Sequence, residues 1–175
     1  LFLLPKRAVT NSCRKRAVAE RAAMSIEDEI TFLERLPMLR PLGSGALRSL
    51  AIAAETYSMQ PGEVLFTAGE DADGAYILQQ GSVTLKPLQG PEAVAGPGTL
   101  LGESALLAET KRSATVTARE ASMLMRVSRA TFLKILDSYP DAAQRLRDHL
   151  ALRANQWARD MENVRAVLSR GKRPE

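Results

Sequence analysis

Apolar residues at helical spacing open and close the central part of this chain, and a different pattern lies between them. Ile30, Leu33 and Leu36 share one helical face ahead of Pro37. Ser25 precedes Glu27, Asp28 and Glu29, which predicts a capped helix start with acids at its positive end. Ser44, followed by Leu47, Leu50, Ala51 and Ala54, predicts a second short helix capped by that serine. After Tyr57, glycines at 62, 69, 74, 81, 90, 96, 98 and 102 separate short runs. Four of these, "VLF", "AYILQ", "SVTLK" and "ATVTA", carry the β-branched and aromatic residues of strands. "LQGP" at 88–91 predicts a hairpin tip.

From Ser128 the helical period returns. Ser128 is expected to cap "RATFLKILDSY", with Phe132, Leu133, Ile135 and Leu136 available for burial. Pro140 suits the first turn of a further helix running to about Leu168. Leu150, Ala154, Trp157, Met161, Val164 and Leu168 step along it as a heptad seam. That seam predicts a homodimer through residues 150–168. Together the patterns predict a mainly β fold with flanking helices: an antiparallel β-roll or jelly roll, N-terminal helices and a long C-terminal helix. The expected divisions are a tail over 1–23, a helical segment over 24–56, the roll over 57–127, and hinge and lid or dimer helices over 128–170.

Charge alters this picture only at one end. The net charge is +4, yet residues 1–23 hold six basic residues against Glu20 alone. The remainder is therefore slightly acidic, and the basic character belongs to the tail. Met24 opens "MSIEDEI", so the tail is expected to be upstream sequence outside the fold, the alternative being a basic arm for an acidic partner or anionic lipid. No apolar run approaches the roughly 20 residues that cross a bilayer, which predicts a cytoplasmic protein with no membrane partner. Cys13 is the only cysteine and His149 the only histidine. A disulfide within the chain, a His and Cys metal site, and iron–sulfur or haem ligation are not expected.

The candidate chemistry lies in "LGESALLAETKRSATVTA", residues 101–118. Two readings are open. Glu103 and Arg112 pair on the surface of a solvated turn, an arrangement worth at most about 1 kcal/mol. Otherwise the stretch forms a small polar pocket. Gly102 lets backbone approach a ligand. Glu103, Ser104, Ala105 and Leu106 form one turn whose amides point at an anion. Arg112 offers a planar fork for a phosphate, with Ser113 beside it. One arginine plus amides suits one phosphate charge, and no G-x-x-x-x-G-K-[ST] loop for a triphosphate occurs. Glu103 makes sense beside an anion if it accepts a ligand hydroxyl while pairing partly with the arginine. A ribose carrying a cyclic phosphate fits both demands.

Over about residues 36–160 the chain resembles the cyclic nucleotide-binding domains of the catabolite-activator and protein-kinase-A regulatory type. "PGEVLFTAGEDADGAYILQQGSVTLK" looks like the family's first half. "GPGTLLGESALLAETKRSATVTA" looks like its phosphate-binding cassette, and "MRVSRATFLKILDSYPDAAQRL" is similar to the start of its helical lid. The resemblance implies that Glu103 accepts the ribose 2′-hydroxyl and that Arg112 pairs with the cyclic phosphate. It implies further contacts from Gly102, Ala105 and Ser113, with Leu85 lining the base pocket. Leu101 stands where the family usually has Phe, and Lys111 where it usually has Pro before the arginine. Trp157 falls where the family places residues that cover the base, and a heptad core position at a dimer seam explains it equally. Ser113 is similar to the bacterial cAMP branch, so cAMP is expected over cGMP.

Only "SRGKRPE" follows Leu168, too short for a helix-turn-helix. The expectation is a stand-alone sensor without a DNA-binding domain. It is not an enzyme and needs no cofactor or metal beyond its cyclic nucleotide ligand, and a further protein partner would receive its signal. The alternatives are a dimerisation module of the same fold with a vestigial pocket, or a Crp/Fnr-type regulator fragment.

Overall fold

The computed structural model describes residues 25–170, with side chains as far as Glu162. The tail over 1–23 therefore lies outside the described residues. Helix α1 (Ile26–Glu34) starts at a capping box. The Asp28 amide donates to Ser25 Oγ at 3.2 Å, and the Ser25 amide donates to the Asp28 carboxylate at 3.2 Å. A 3-10 turn (Arg40–Leu42) leads into α2 (Gly43–Ala53).

Here the expected Ser44 cap fails. Ser44 lies inside α2, whose start has no side-chain cap. An N-cap needs an extended residue before the helix, but this helix is entered from a turn. The Leu42 and Gly43 amides already donate to Leu39 and Arg40 carbonyls.

The roll follows as β1 (Glu55–Met59), β2 (Val64–Phe66), β3 (Asp71–Ala72), β4 (Gly74–Gln80), β5 (Val83–Pro87), β6 (Ala93–Ala95), β7 (Leu100–Leu101), β8 (Thr110–Lys111), β9 (Ala114–Ala118) and β10 (Ser122–Ser128). All recorded pairings are antiparallel. One sheet has the order β1-β10-β4-β7, the other β2-β9-β5-β6, and β3 and β8 form a separate ribbon. The expected fold class is the observed one. The first strand begins at Glu55, inside the segment expected to be helical. β10 was not singled out by periodicity either, because it is buried on both faces and rich in methionine.

β4 and β10 separate two cores. Ala75, Ile77, Met125 and Val127 face the helices and pack with Leu33, Leu39, Leu47, Leu50 and Phe132. Leu78 and Leu124 face into the roll beside Met59, Phe66, Val83, Leu101 and Val116. This is the period-2 alternation of strands used on both sides. Helix α3 (Arg129–Ser138) starts at Ser128, whose Oγ accepts the Thr131 amide at 3.1 Å.

Helix α4 (Pro140–Arg170) docks through its first turns. Ala142 and Leu146 are buried, and Arg145 donates to the Pro41 and Leu42 carbonyls at 2.7 and 2.9 Å. From Ala151 to Glu162 every residue is exposed, including Trp157 at 73% and Met161 at 59%. Val164 and Leu168, the last seam positions, lie outside the described side chains. Among the described residues, no helix is long and apolar enough to cross a membrane.

Gly74 pairs with Ser128 at the start of β4, where the β10 backbone lies against it. A Cβ there would fall on the Val127 carbonyl oxygen and 2.8 Å from Ser128 Cα. Gly74→Ala is expected to cost about 1–3 kcal/mol, lowering the melting temperature by roughly 3–10 °C. Gly96, with nothing within 4 Å of its Cβ position, is the control: Gly96→Ala should leave thermal unfolding unchanged. Equal melting temperatures for the two variants would contradict the close approach.

Candidate functional site

The stretch over 101–118 wraps one concave surface. Leu101 is buried and pairs with Tyr76 across β7 and β4. Gly102 then takes a left-handed conformation, φ 75° and ψ 39°, and turns the chain into a 3-10 turn (Glu103–Leu106). Ala105 donates back to the Gly102 carbonyl at 3.1 Å. Glu103 and Ser104 stand at the open start of the turn, where amides lack partners within it, and both are exposed. Ala105 and Leu106 are buried, and Leu106 belongs to the helical core.

Arg112 is fixed first through its backbone. Its amide donates to the Glu70 carbonyl and its carbonyl accepts from the Gly69 amide, both at 2.8 Å. The side chain points inward and is 4% exposed. One guanidinium nitrogen donates to the Gly74 carbonyl at 2.8 Å. The guanidinium carbon lies 4.2 Å from the centre of the Phe66 ring and 5.6 Å from that of Tyr76, within cation–π reach.

Among the described residues its ion pair is with Asp73, at 3.9 Å. That carboxylate bonds more closely, at 2.6 Å, to Arg126, which also pairs with Glu55 at 3.3 Å. The two arginines thus compete, and Arg126 wins. Burial alone would lower the Arg126 pKa, but Asp73, Tyr76 and Glu55 raise it above its ordinary value. Arg112 moves the other way. Burial pushes its guanidinium below the ordinary value, and Tyr76 and Asp73 offset this only in part. Arg112 remains charged at neutral pH, so it is a buried cation short of counter-charge.

This overturns the surface reading. Arg112 is not a solvated partner of Glu103, and the partial pairing expected between them is absent among the recorded ion pairs. The reason is geometric: Arg112 turns inward just after β8, while Glu103 opens an exposed turn. Lys111, one residue earlier, points the opposite way and bonds Asp71 at 2.9 Å across the β3–β8 ribbon. Its hydrogen bond and charge hold the Asp71 carboxyl below the usual range.

Leu85, Gly102, Glu103, Ser104, Ala105, Arg112 and Ser113 all line one cavity of about 170 Å³. Trp157 does not line it; it projects from the exposed half of α4. Periodicity did not single out Phe66, Asp73, Gly74, Tyr76 or Arg126, the groups that hold Arg112. The inward position of Phe66 in "VLF" was the one available signal. Among the described residues, no group of three His, Cys, Asp or Glu side chains is placed to hold a metal ion.

Comparison with known proteins bears on this arrangement. The cyclic nucleotide-binding domain profile matches residues 57–139, which include all but the start of β1 in the two sheets, the cavity and α3. A cyclic nucleotide-binding-like protein from Brucella abortus is 34% identical, and the aligned region covers 63% of this chain and 98% of that one, with a TM-score of 0.57. The chain belongs to the cyclic nucleotide-binding domain family.

Another member, the cAMP-dependent protein kinase regulatory subunit of Yarrowia lipolytica, is 35% identical over 60% of this chain. The match covers 28% of that subunit, and 30% of a cyclic nucleotide-gated potassium channel from Mesorhizobium japonicum that is 30% identical over 62% of this chain. The chain thus spans less than a third of either relative. The N-terminal domain of a Streptomyces coelicolor transcriptional regulator superposes with a TM-score of 0.68 at 27% identity, over 74% of this chain and 94% of that one. The 3-10 turn and Arg112 lie in the stretch whose sequence resembles the family's phosphate-binding cassette, inside the matched residues.

Gly102 and Arg112 are coupled by contact, since a Cβ on Gly102 would lie 2.5 Å from the Arg112 guanidinium. Gly102→Ala should cost about 1–2 kcal/mol from its left-handed backbone alone, with the clash in addition. In a double-mutant cycle with Arg112→Ala, the clash vanishes, and a coupling of roughly 1 kcal/mol is expected in denaturant unfolding. Strict additivity would contradict the contact.

Proposed function

We propose that the domain is a cyclic nucleotide sensor, a binding module and not an enzyme. One observation carries this reading: a buried guanidinium, short of counter-charge, lines a cavity beside the open start of a 3-10 turn. A singly charged phosphate supplies what Arg112 lacks. The turn amides at Glu103 and Ser104 add donors, with Gly102, Ala105 and Ser113 beside them in the cavity lining. Glu103 is exposed and makes no recorded ion pair, so its carboxylate is available to accept a ribose hydroxyl. The ligand we favour is cAMP over cGMP, on the strength of Ser113 following the arginine. Its base would lie beyond Leu85. The cavity is smaller than the roughly 300–1,000 Å³ that encloses a typical ligand, so the base requires cover from outside the roll.

The route outward begins at Leu106. It sits in the helical core with Phe132, and Arg129 at the start of α3 donates to the Ala108 carbonyl at 2.7 Å. Drawing the turn towards a phosphate therefore pulls on α3 and, through it, α4. The ligand shifts that equilibrium only by its differential affinity for two arrangements. A micromolar ligand brings about 8 kcal/mol in total, ample for a balanced pair. The exposed face with Trp157 and Met161 suits a homodimer through α4, and in a dimer one of these helices can also cover a base. Further protein partners would read the same helix. Cyclic nucleotide signalling of this kind belongs in the cytoplasm, and the likeness to the N-terminal domain of a transcriptional regulator supports a sensor's role.

Calorimetric titration with cAMP and cGMP tests the reading. A dissociation constant near the micromolar range is expected for at least one, weakened about 100-fold or more by Arg112→Leu. No heat from either ligand at millimolar concentration would leave the dimerisation-module alternative standing. For the dimer, sedimentation should show concentration-dependent association that is lost in Trp157→Arg. A monomer at all concentrations would refute it.

A further inference from the structure

On the far side of the helical core lies a second groove, apart from the cassette. The last turn of α1, the following loop and α4 form a cavity of about 670 Å³ lined by Thr31, Glu34, Arg35, Pro37, Arg40 and His149. Its walls are backed by core. Leu33, Leu36 and Leu39 are buried behind one wall and Leu146 behind the other. Arg145 pins α4 to the Pro41 and Leu42 carbonyls. The groove is therefore held open by packing and not by its own polar groups.

Those polar groups are unspent. Neither Arg35 nor Arg40 takes part in an ion pair among the described residues, and neither does Glu34. Among the described residues, the Nε2 atom of His149 is buried with no hydrogen-bond partner, an exception to the rule that buried polar atoms find partners. Helix spacing puts Arg153 one turn beyond His149 on the same face of α4. Arg35 and Arg40 thus line one concave surface with a single carboxylate, beside the His149 ring.

We propose that this groove is a second anion site, taking a compact phosphate-bearing ligand with two or more negative charges. Two planar forks suit phosphate oxygens, and the His149 ring lines the groove beside them. Glu34 opposes the ligand and sets a limit on its affinity. Bound there, the anion ties the α1 end of the domain to α4.

His149 is the only histidine, so its ring proton resonance reports on this groove alone. Titration of the full chain with pyrophosphate should move that resonance saturably, with a dissociation constant below about 1 mM at low salt. Arg35→Gln and Arg40→Gln should each weaken binding about tenfold, and Glu34→Gln should tighten it several-fold. All three side chains are exposed and without recorded ion pairs, so thermal unfolding should be unchanged. Arg112→Leu, which removes the cassette cation, should leave this titration intact and so separates the two sites. A response that fails to saturate by about 10 mM, survives in the double Arg35→Gln/Arg40→Gln variant, or disappears in Arg112→Leu would overturn the proposal. Equal affinity for citrate would overturn its assignment to phosphate.

Discussion

A guanidinium that cannot lose its proton sits inside this domain with less compensation than its burial demands. Desolvating such a group costs several kcal/mol unless hydrogen bonds and charges replace the lost water. At Arg112 the replacement is a backbone carbonyl, two aromatic faces and half of a shared carboxylate. These come from three separate places in the roll: Gly74 and Tyr76 from β4, Phe66 from β2, and Asp73 from the link between β3 and β4. The roll must therefore close correctly before the arginine has any partners. Gly102 must also lack a side chain, because the guanidinium occupies the space where one would stand.

The same few residues connect this pocket to the helices. β4 and β10 present one face to each core, so the wall behind Arg112 is also the floor beneath α2 and α3. Arg126 and Tyr76 project from that wall into the roll, while Ala75, Ile77, Met125 and Val127 project away from it. The Asp73 carbonyl accepts the Arg129 amide at 2.8 Å, and the Asp73 carboxylate bridges Arg112 and Arg126. A single residue between two strands is thus tied both to the cassette cation and to the first residue of α3. Arg112 and the start of α3 are thus joined through one residue, by an ion pair at 3.9 Å and a backbone hydrogen bond at 2.8 Å.

Much of this architecture was legible in the chain, and the exceptions have physical causes. The cassette could be read because its residues are consecutive, α1 and α3 because capping and period agree, and α4 because a first-turn proline precedes a sustained period. β10 was obscured by methionines, which suit helices by propensity, and by burial on both faces, which removes alternation. β1 is short and polar and follows directly on α2. Ser44 had the right identity for a cap but the wrong approach, since the chain reaches it from a turn. The partners of Arg112 were hidden for a different reason: the Gly74 carbonyl lies 38 positions away, and only the sheet register brings it there. The groove beside His149 depends in the same way on contacts between positions more than a hundred apart.

The separation of Glu103 from Arg112 bears on what the cassette can select. Had they paired, a phosphate would first have to break an ion pair, and the freed carboxylate would then repel it. Here the arginine is oriented by a neutral carbonyl, and the carboxylate stands apart at the open turn. On the proposed reading, the two groups recognise different parts of one ligand, an anionic oxygen and a neutral hydroxyl. A free phosphate satisfies only the first and meets the repulsion of Glu103 without a hydroxyl to offset it. A ribose bearing its phosphate as a ring satisfies both at a fixed separation. Preference for the sugar phosphate over inorganic anions thus follows from holding these two charges apart, and the pair of guanidinium groups at the α1–α4 groove, which has no such hydroxyl acceptor arranged beside a single buried cation, suits the opposite class of anion.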